Sequence, residues 1–167
     1  MSKMPKQKPG KSKQDYQTPK EFLDAVRDRL LIGVFAMDLA ATKENSVALD
    51  YISLEEGQDS LSDQQSWVSE GWAWLNPPYS HIEPWVKKAA GEADYGAHIA
   101  MLVPASVGAN WWRDWVEPYA YIAFLNGRLT FPPETKPYPK DLALLLYTPW
   151  GFTGNEVWDW KGGKDAT

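Results

Sequence analysis

Gly71-Trp72-Ala73-Trp74-Leu75-Asn76-Pro77-Pro78-Tyr79 is the stretch from which the rest of the chain can be read. Its apolar, aromatic-rich opening has the character of a buried strand, and two consecutive prolines must end sheet pairing because proline fixes φ and has no N–H to donate. The stretch therefore predicts a strand over residues 71–75 that delivers Asn76 at its carboxyl end, on a stiff turn. Downstream, the pattern predicts a helix from Pro84 to about Ala93, a strand from His98 to Val103 stopped by Pro104, and a helical stretch from Asn110 to about Glu117. Strands at Tyr121–Leu125 and Leu142–Tyr147 follow, separated by a proline-rich connection, residues 127–140, that reads as a long hairpin loop. Upstream, Thr18-Pro19-Lys20-Glu21 offers an N-cap, a first-turn proline and a glutamate three residues after the cap, and Phe22, Leu23, Val26 and Leu30 supply an apolar stripe. These predict a helix from about Pro19 to Leu30. Gly33 to Met37 reads as a short buried strand ending at Asp38, residues 39–46 as a loop or short helix, and Val47 to Ser53 as a second strand. Residues 54–70 are acidic and polar, without periodicity. Strands alternating with helices predict a single α/β domain with a mostly parallel sheet, whose ligands bind beyond the carboxyl ends of the strands. Asp38 and Asn76 both fall there.

The 167 residues suit one compact domain. No apolar run approaches the ~18 residues of a membrane span and no signal peptide opens the chain, so the expectation is a soluble, cytoplasmic protein. The absence of cysteine excludes disulfides, thiolate catalysis and cysteine-based zinc sites, and two histidines, His81 and His98, give little material for a cage, so no metal is expected. The net charge of −5 runs against clustered phosphate contacts, but Lys3, Lys6, Lys8, Lys11 and Lys13 lie in the first fourteen residues, which hold no acid. The chain thus divides into a flexible basic tail over residues 1–14, with Lys11 and Lys13 as candidate phosphate contacts, and an acidic body over residues 15–167. A merely solubilising end has the same composition. Ten tryptophans and eight tyrosines exceed ordinary usage; such rings pack cores and also stack on bases.

The chemistry suited to Asn76-Pro77-Pro78-Tyr79 is activation of an exocyclic or carboxamide nitrogen. The lone pair of an aromatic amine is delocalised into its ring, and an enzyme that alkylates it must restore that lone pair. The Asn76 side-chain oxygen and the Pro77 carbonyl can each accept one N–H of the amine, favouring a tetrahedral nitrogen. Pro78 completes the stiff turn, and Tyr79 would stack on a base flipped out of a duplex. The same four residues also read as a plain strand-terminating turn.

Further segments extend the pattern. Tyr16-Gln17-Thr18-Pro19, Met37-Asp38-Leu39-Ala40-Ala41 with Glu44-Asn45, Gln58-Asp59-Ser60-Leu61, Trp74 through Ser80, Pro84-Trp85-Val86-Lys87-Lys88-Ala89 and Phe124-Leu125-Asn126-Gly127-Arg128-Leu129-Thr130-Phe131 stand in order along nearly the whole chain from residue 15. In this order and spacing the chain resembles the phage-type DNA N-6-adenine methyltransferases (phage Dam-like family), and Asn-Pro-Pro-Tyr looks like the motif of amino-methyltransferases. The resemblance implies a trimmed Rossmann-like fold, S-adenosylmethionine as methyl donor, and methylation of the N6 amine of a flipped adenine in double-stranded DNA, in a phage or bacterial host cytoplasm. It further implies that Thr18 and Pro19 form a cofactor-side element, that Asp38 marks the methionine end of the pocket, that Asp59 contacts the adenosine portion, and that Ala40, Asn45 and Asn76 also belong to the cofactor site. Tyr79 and Ser80 would face DNA. Asp38 also reads as a loop-capping aspartate, Asn45 as a turn residue and Asp59 as a solvated one.

The chain departs from the broader methyltransferase pattern. The glycine-rich turn after the first strand is replaced by Leu39-Ala40-Ala41-Thr42, and the spacing from Asp38 to Leu75 leaves little room for two further strands with helices, so a trimmed cofactor half is expected. No insert is large enough for a separate target-recognition domain. The 127–140 connection is the first candidate for base contacts, with Arg128 pairing guanine or phosphate, against the alternative of a structural salt bridge. Trp111, Trp112 and Trp115 beside Arg113 suit either stacking or a core, and His81 reads as an edge residue. Two other functions remain open: a protein glutamine N-methyltransferase, since the same turn can hold a carboxamide, and a non-catalytic DNA-binding protein that kept the fold.

Overall fold

The computed structural model describes residues 17–162. The tail with Lys11 and Lys13 lies outside the described residues. The described chain runs through helix α1 (Lys20–Leu30), strands β1 (Met37–Asp38) and β2 (Trp72–Leu75), helix α2 (Glu83–Asp94), strand β3 (His98–Pro104), a π-helical segment (Trp112–Val116), and strands β4 (Tyr121–Leu125), β5 (Leu142–Tyr147) and β6 (Gly154–Trp158). The six strands form one sheet in the order β1-β2-β3-β5-β4-β6. Only β5 runs against the others, so the sheet is mostly parallel. The carboxyl ends of β1, β2, β3, β4 and β6 consequently share one edge.

Alternation along the strands sorts the core into two layers. Trp74, Ala100, Leu102, Leu144 and Leu146 face α1, which buries Phe22, Leu23 and Val26 against them. Ala73, Leu75, Ile99, Met101, Val103, Leu145 and Tyr147 face the opposite way, toward Trp85, Val86 and Ala89 of α2 and toward Trp112 and Val116. The central strands β3 and β5 are buried almost throughout, as their uninterrupted apolar runs require.

Four local expectations are corrected. The strand read over residues 33–38 shrinks to Met37–Asp38, because Val34 is exposed and pairing begins only where the Ala36 N–H reaches the Trp72 carbonyl. The strand read over residues 47–53 reduces to a single parallel bridge between Asp38 and Tyr51, flanked by amide bonds that zip Asp38 and Ala41 to Asp50 and Ile52. The helix read near residues 110–117 is largely a π-helical turn, in which the Glu117 N–H reaches back to Trp112. The wider turn buries Trp112 and Val116 and leaves Trp111 and Trp115 half-buried. Finally, β6 was not foreseen: it is mostly exposed and pairs along β4 at the sheet's edge.

Candidate functional site

The expected strand end is present. β2 pairs with β3 over its full length, from Trp72 opposite His98 to Leu75 opposite Met101, and pairing stops before Asn76. Pro77 is buried, Asn76, Pro78 and Tyr79 are half-buried, and Ser80 is exposed. Asn76 has the same parity as Trp74, so its side chain turns toward α1. There its Nδ2 donates to the Thr18 hydroxyl at 3.2 Å, while its Oδ1 accepts from the Tyr79 hydroxyl at 2.7 Å. Both ends of the amide are held. Desolvation raises the Tyr79 phenol well above its ordinary pKa, which keeps its proton available for that bond.

Thr18 is thus not the helix cap that its neighbours suggested. α1 begins at Lys20 after Pro19, without a side-chain cap, and the Pro19 carbonyl itself accepts from Phe22 and Leu23. The threonine hydroxyl is left for Asn76. The 126–141 connection reaches the same place from the other side. The Pro132 carbonyl accepts from the Gln17 amide, and the Tyr138 ring meets Tyr79 edge-on with centroids 5.7 Å apart. The sequence offered no signal for Tyr138 beyond its position in a proline-rich loop.

Asp38 lies on the neighbouring strand, in register with Trp74, and so shares the α1-facing side with Asn76. It is 3% exposed. Its carboxylate accepts from the amides of Ala40 at 3.3 Å and Val47 at 3.1 Å, which ties down the following loop. Burial pushes its pKa up to about 7, against the lowering effect of those two amides. Asp38 therefore caps a loop as well as standing at a strand end. Asn45 closes the same loop: its side-chain oxygen accepts from the Thr42 amide at 2.7 Å, and the Thr42 hydroxyl accepts from the Asn45 amide. Asp59 is exposed and accepts from the Leu61 amide in a short turn. That turn leads into a segment clamped from α2, where Lys88 donates to the carbonyls of Ser62 and Gln65 at 2.6 Å each and lies over the Trp67 ring. The Trp67 indole N–H donates back to Ser60. Neither Lys88 nor Trp67 was legible as part of this framework. The Ser53 hydroxyl, on the segment zipped to β1, is buried without a partner.

Arg128 is 53% exposed and lies 3.8 Å from Asp141, a loose surface pair. With Leu129 and Thr130 it borders a groove of about 950 Å³ between α1 and residues 158–162. Pro19 is the groove's near wall; Asn76 and Asp38 do not line it. His81 is exposed. Among the described residues, no group of three or more acidic or histidine side chains is placed to hold a metal ion, and no helix is long and apolar enough to cross a membrane.

Comparison with known proteins identifies the family. The family profile described as DNA N-6-adenine-methyltransferase (Dam) matches residues 5–143. A curated relative, the DNA N-6-adenine-methyltransferase of Escherichia phage T1, is 29% identical over 142 residues, which cover 85% of this chain and 56% of the relative. The chain thus spans little more than half the length of that relative.

Proposed function

The chain belongs to the DNA N-6-adenine-methyltransferase (Dam) family, and on that premise we propose that it transfers a methyl group from S-adenosylmethionine to the N6 amine of an adenine flipped out of DNA. The observation that carries the reading is the side chain of Asn76, presented at the carboxyl end of β2 on the same face as Asp38. The Asn76 Oδ1 and the Pro77 carbonyl accept the two N–H groups of the amine, which draws its lone pair out of conjugation with the ring. No strong base is needed, because the nitrogen loses its extra proton after the transfer. Tyr79 offers its ring to the flipped base, and the exposed Ser80 and Arg128 stand on the DNA side.

The donor set beside β1 fits the proposed cofactor. The buried Asp38 carboxylate suits an ammonium, whose arrival would favour the ionised form, and the unpartnered Ser53 hydroxyl and exposed Asp59 suit the hydroxyl-rich remainder. When bound, S-adenosylmethionine supplies a methyl group on a sulfonium that leaves as a neutral thioether. The single bridge beyond β1 supports a cofactor half trimmed from a Rossmann-like plan, with loop side chains in place of further strands. The lysine-rich tail would add contacts to phosphates that position without specifying.

The test is incubation with tritiated S-adenosylmethionine and either DNA lacking N6-methyladenine or a cellular protein extract, followed by single-molecule sequencing of the DNA. Label in adenine at a recurring sequence is expected. Label confined to protein would replace the reading with carboxamide methylation. Label in neither, with no calorimetric cofactor binding, would leave a DNA-binding protein that kept the fold.

A further inference from the structure

The Asn76 amide is held from both sides, and its two partners are unlike in what they can yield. Thr18 sits on the backbone just before α1, where Pro19 is buried and the Gln17 amide is bonded to Pro132, so its hydroxyl is placed by well-anchored chain. Tyr79 follows the prolines on a side chain with two rotatable bonds, and its bond lands on Oδ1, the atom that the proposed reaction needs as acceptor for the amine. With the nitrogen end of the amide anchored on Thr18, the oxygen end is the one shared between Tyr79 and an incoming donor.

We propose that Thr18 is the positioning residue that fixes Asn76 with its oxygen toward the substrate amine, and that the Tyr79 hydroxyl holds the amine's place on that oxygen until the base arrives. This rests on the reading above that Asn76 receives an amine, and it gives Thr18 a role different from contact with the cofactor. The base entering beside Tyr79 takes over Oδ1, the phenol turns away, and the nitrogen end of the amide stays on Thr18. The Oδ1 acceptor is never left unsatisfied in the empty site, which a half-buried amide between packed rings would otherwise risk. Tyr138, edge-on against Tyr79, connects this exchange to the 126–141 connection.

The experiment compares Thr18→Val, Thr18→Ser and Tyr79→Phe with the wild-type full chain. Measured quantities are kcat and KM on unmethylated DNA, cofactor affinity by calorimetry, melting temperature, and the side-chain NH2 signals of Asn76 by NMR. Thr18→Val is expected to lower kcat by about 10- to 100-fold, in keeping with the cost of a slightly misplaced reacting group, with cofactor affinity unchanged and the Asn76 NH2 signals shifted. Thr18→Ser, which keeps the hydroxyl, is expected to stay within about threefold of wild type. Tyr79→Phe, relieved of the placeholder, is expected to lower KM for DNA, and an unchanged or raised KM would overturn the placeholder role. A Thr18→Val enzyme with wild-type kcat, or one whose loss appears as weakened cofactor binding, would overturn the proposal. If Thr18→Val melts early, Thr18→Ser decides: a large loss of kcat in that variant is also fatal. A wild-type chain that transfers no methyl group defeats the proposed function instead, and unshifted Asn76 NH2 signals in Thr18→Val then defeat the positioning role separately.

Discussion

Two neighbouring parallel strands end at the same edge of the sheet and are supported in opposite ways. The end of β2 rests on sheet: β3 pairs with it through Leu75, and cores on both faces bury Trp74 and Leu75 completely or nearly so. The end of β1 rests on side chains. Among the described residues its ladder is two register pairs, one bridge and the few amide bonds beside them, and the chain from residue 39 to residue 71 is held further by Asp38, Thr42, Asn45, Ser46, Gln58, Asp59, Trp67 and Lys88 bonding to backbone. Where strands are trimmed away, polar side chains take over the satisfaction of backbone groups that a ladder would have provided. The consequence is a difference in separability. At β2 the side chain proposed to act hangs from a ladder that it does not itself hold, so its removal is expected to leave the strand in place, whereas at β1 Asp38 and Asn45 also hold the loop together.

The sharpest way to break this comparison is Asn76→Ala. Loss of one preorganised polar contact at a reacting centre costs about 10²–10³ in rate, and methyl transfer should fall by at least that much while cofactor affinity and melting temperature stay near wild type. Residual activity within a few-fold of wild type would remove Asn76 from the chemistry, and a large drop in melting temperature would remove the claim of separability.

Tyr79→Ala comes next. Base–aromatic stacking is worth roughly 1–3 kcal/mol, so DNA-dependent kinetics should weaken about 5- to 150-fold. Because Tyr79 also packs between the two cores and against Tyr138, a modest stability loss should accompany it. Equal losses in Tyr79→Phe would contradict a stacking role.

Asp38→Asn tests the other strand end, and here the effect should be mixed. The Asp38 carboxyl titrates near 7 in the folded protein and near 3.8 when exposed. Between those values the native state holds a proton that the unfolded chain has lost, so this group's contribution to stability falls as pH rises from about 4 to about 7 and is flat above. The asparagine variant has no such slope. Its melting temperature should gain on the wild type across that window by an amount on the order of several degrees, while its cofactor affinity falls at every pH. Parallel melting curves against pH would show that the carboxyl is not desolvated as described.

Arg128→Gln should have the smallest effect. Its exposed pairing with Asp141 contributes about 0–1 kcal/mol, so stability should be unchanged, and DNA affinity should fall slightly with the salt slope reduced by about one. Changed methylation sites in the sequencing readout would promote Arg128 from a phosphate contact to a base contact.

Much of the β2 end was legible because its signal is local. Pro77 and Pro78 lack an N–H wherever they are placed, so a strand must stop before them and Asn76 must stand at its end. The buried strands β3 and β5 were equally plain as uninterrupted apolar runs. Near β1 the same reasoning overreached. Val34 and Val47 have the side chains of strand residues, but among the described residues no strand lies beside them to pair with, and propensity without a partner makes no ladder. The mostly exposed Gly154–Trp158 failed in the opposite sense, since only the open edge of β4 makes it a strand.

Residue types and their local order therefore determined that this chain is a mostly parallel α/β domain with Asn76 on a rigid turn at a strand's carboxyl end. Tertiary structure alone decided what holds the nitrogen end of that asparagine. Thr18 reads locally as a helix cap and is not one: its hydroxyl meets an amide 58 residues away because α1 lies across the face toward which Asn76 points. A covalent property such as proline's missing donor travels with the residue, whereas a hydrogen bond between distant side chains exists only once packing has brought both to the same face of the sheet.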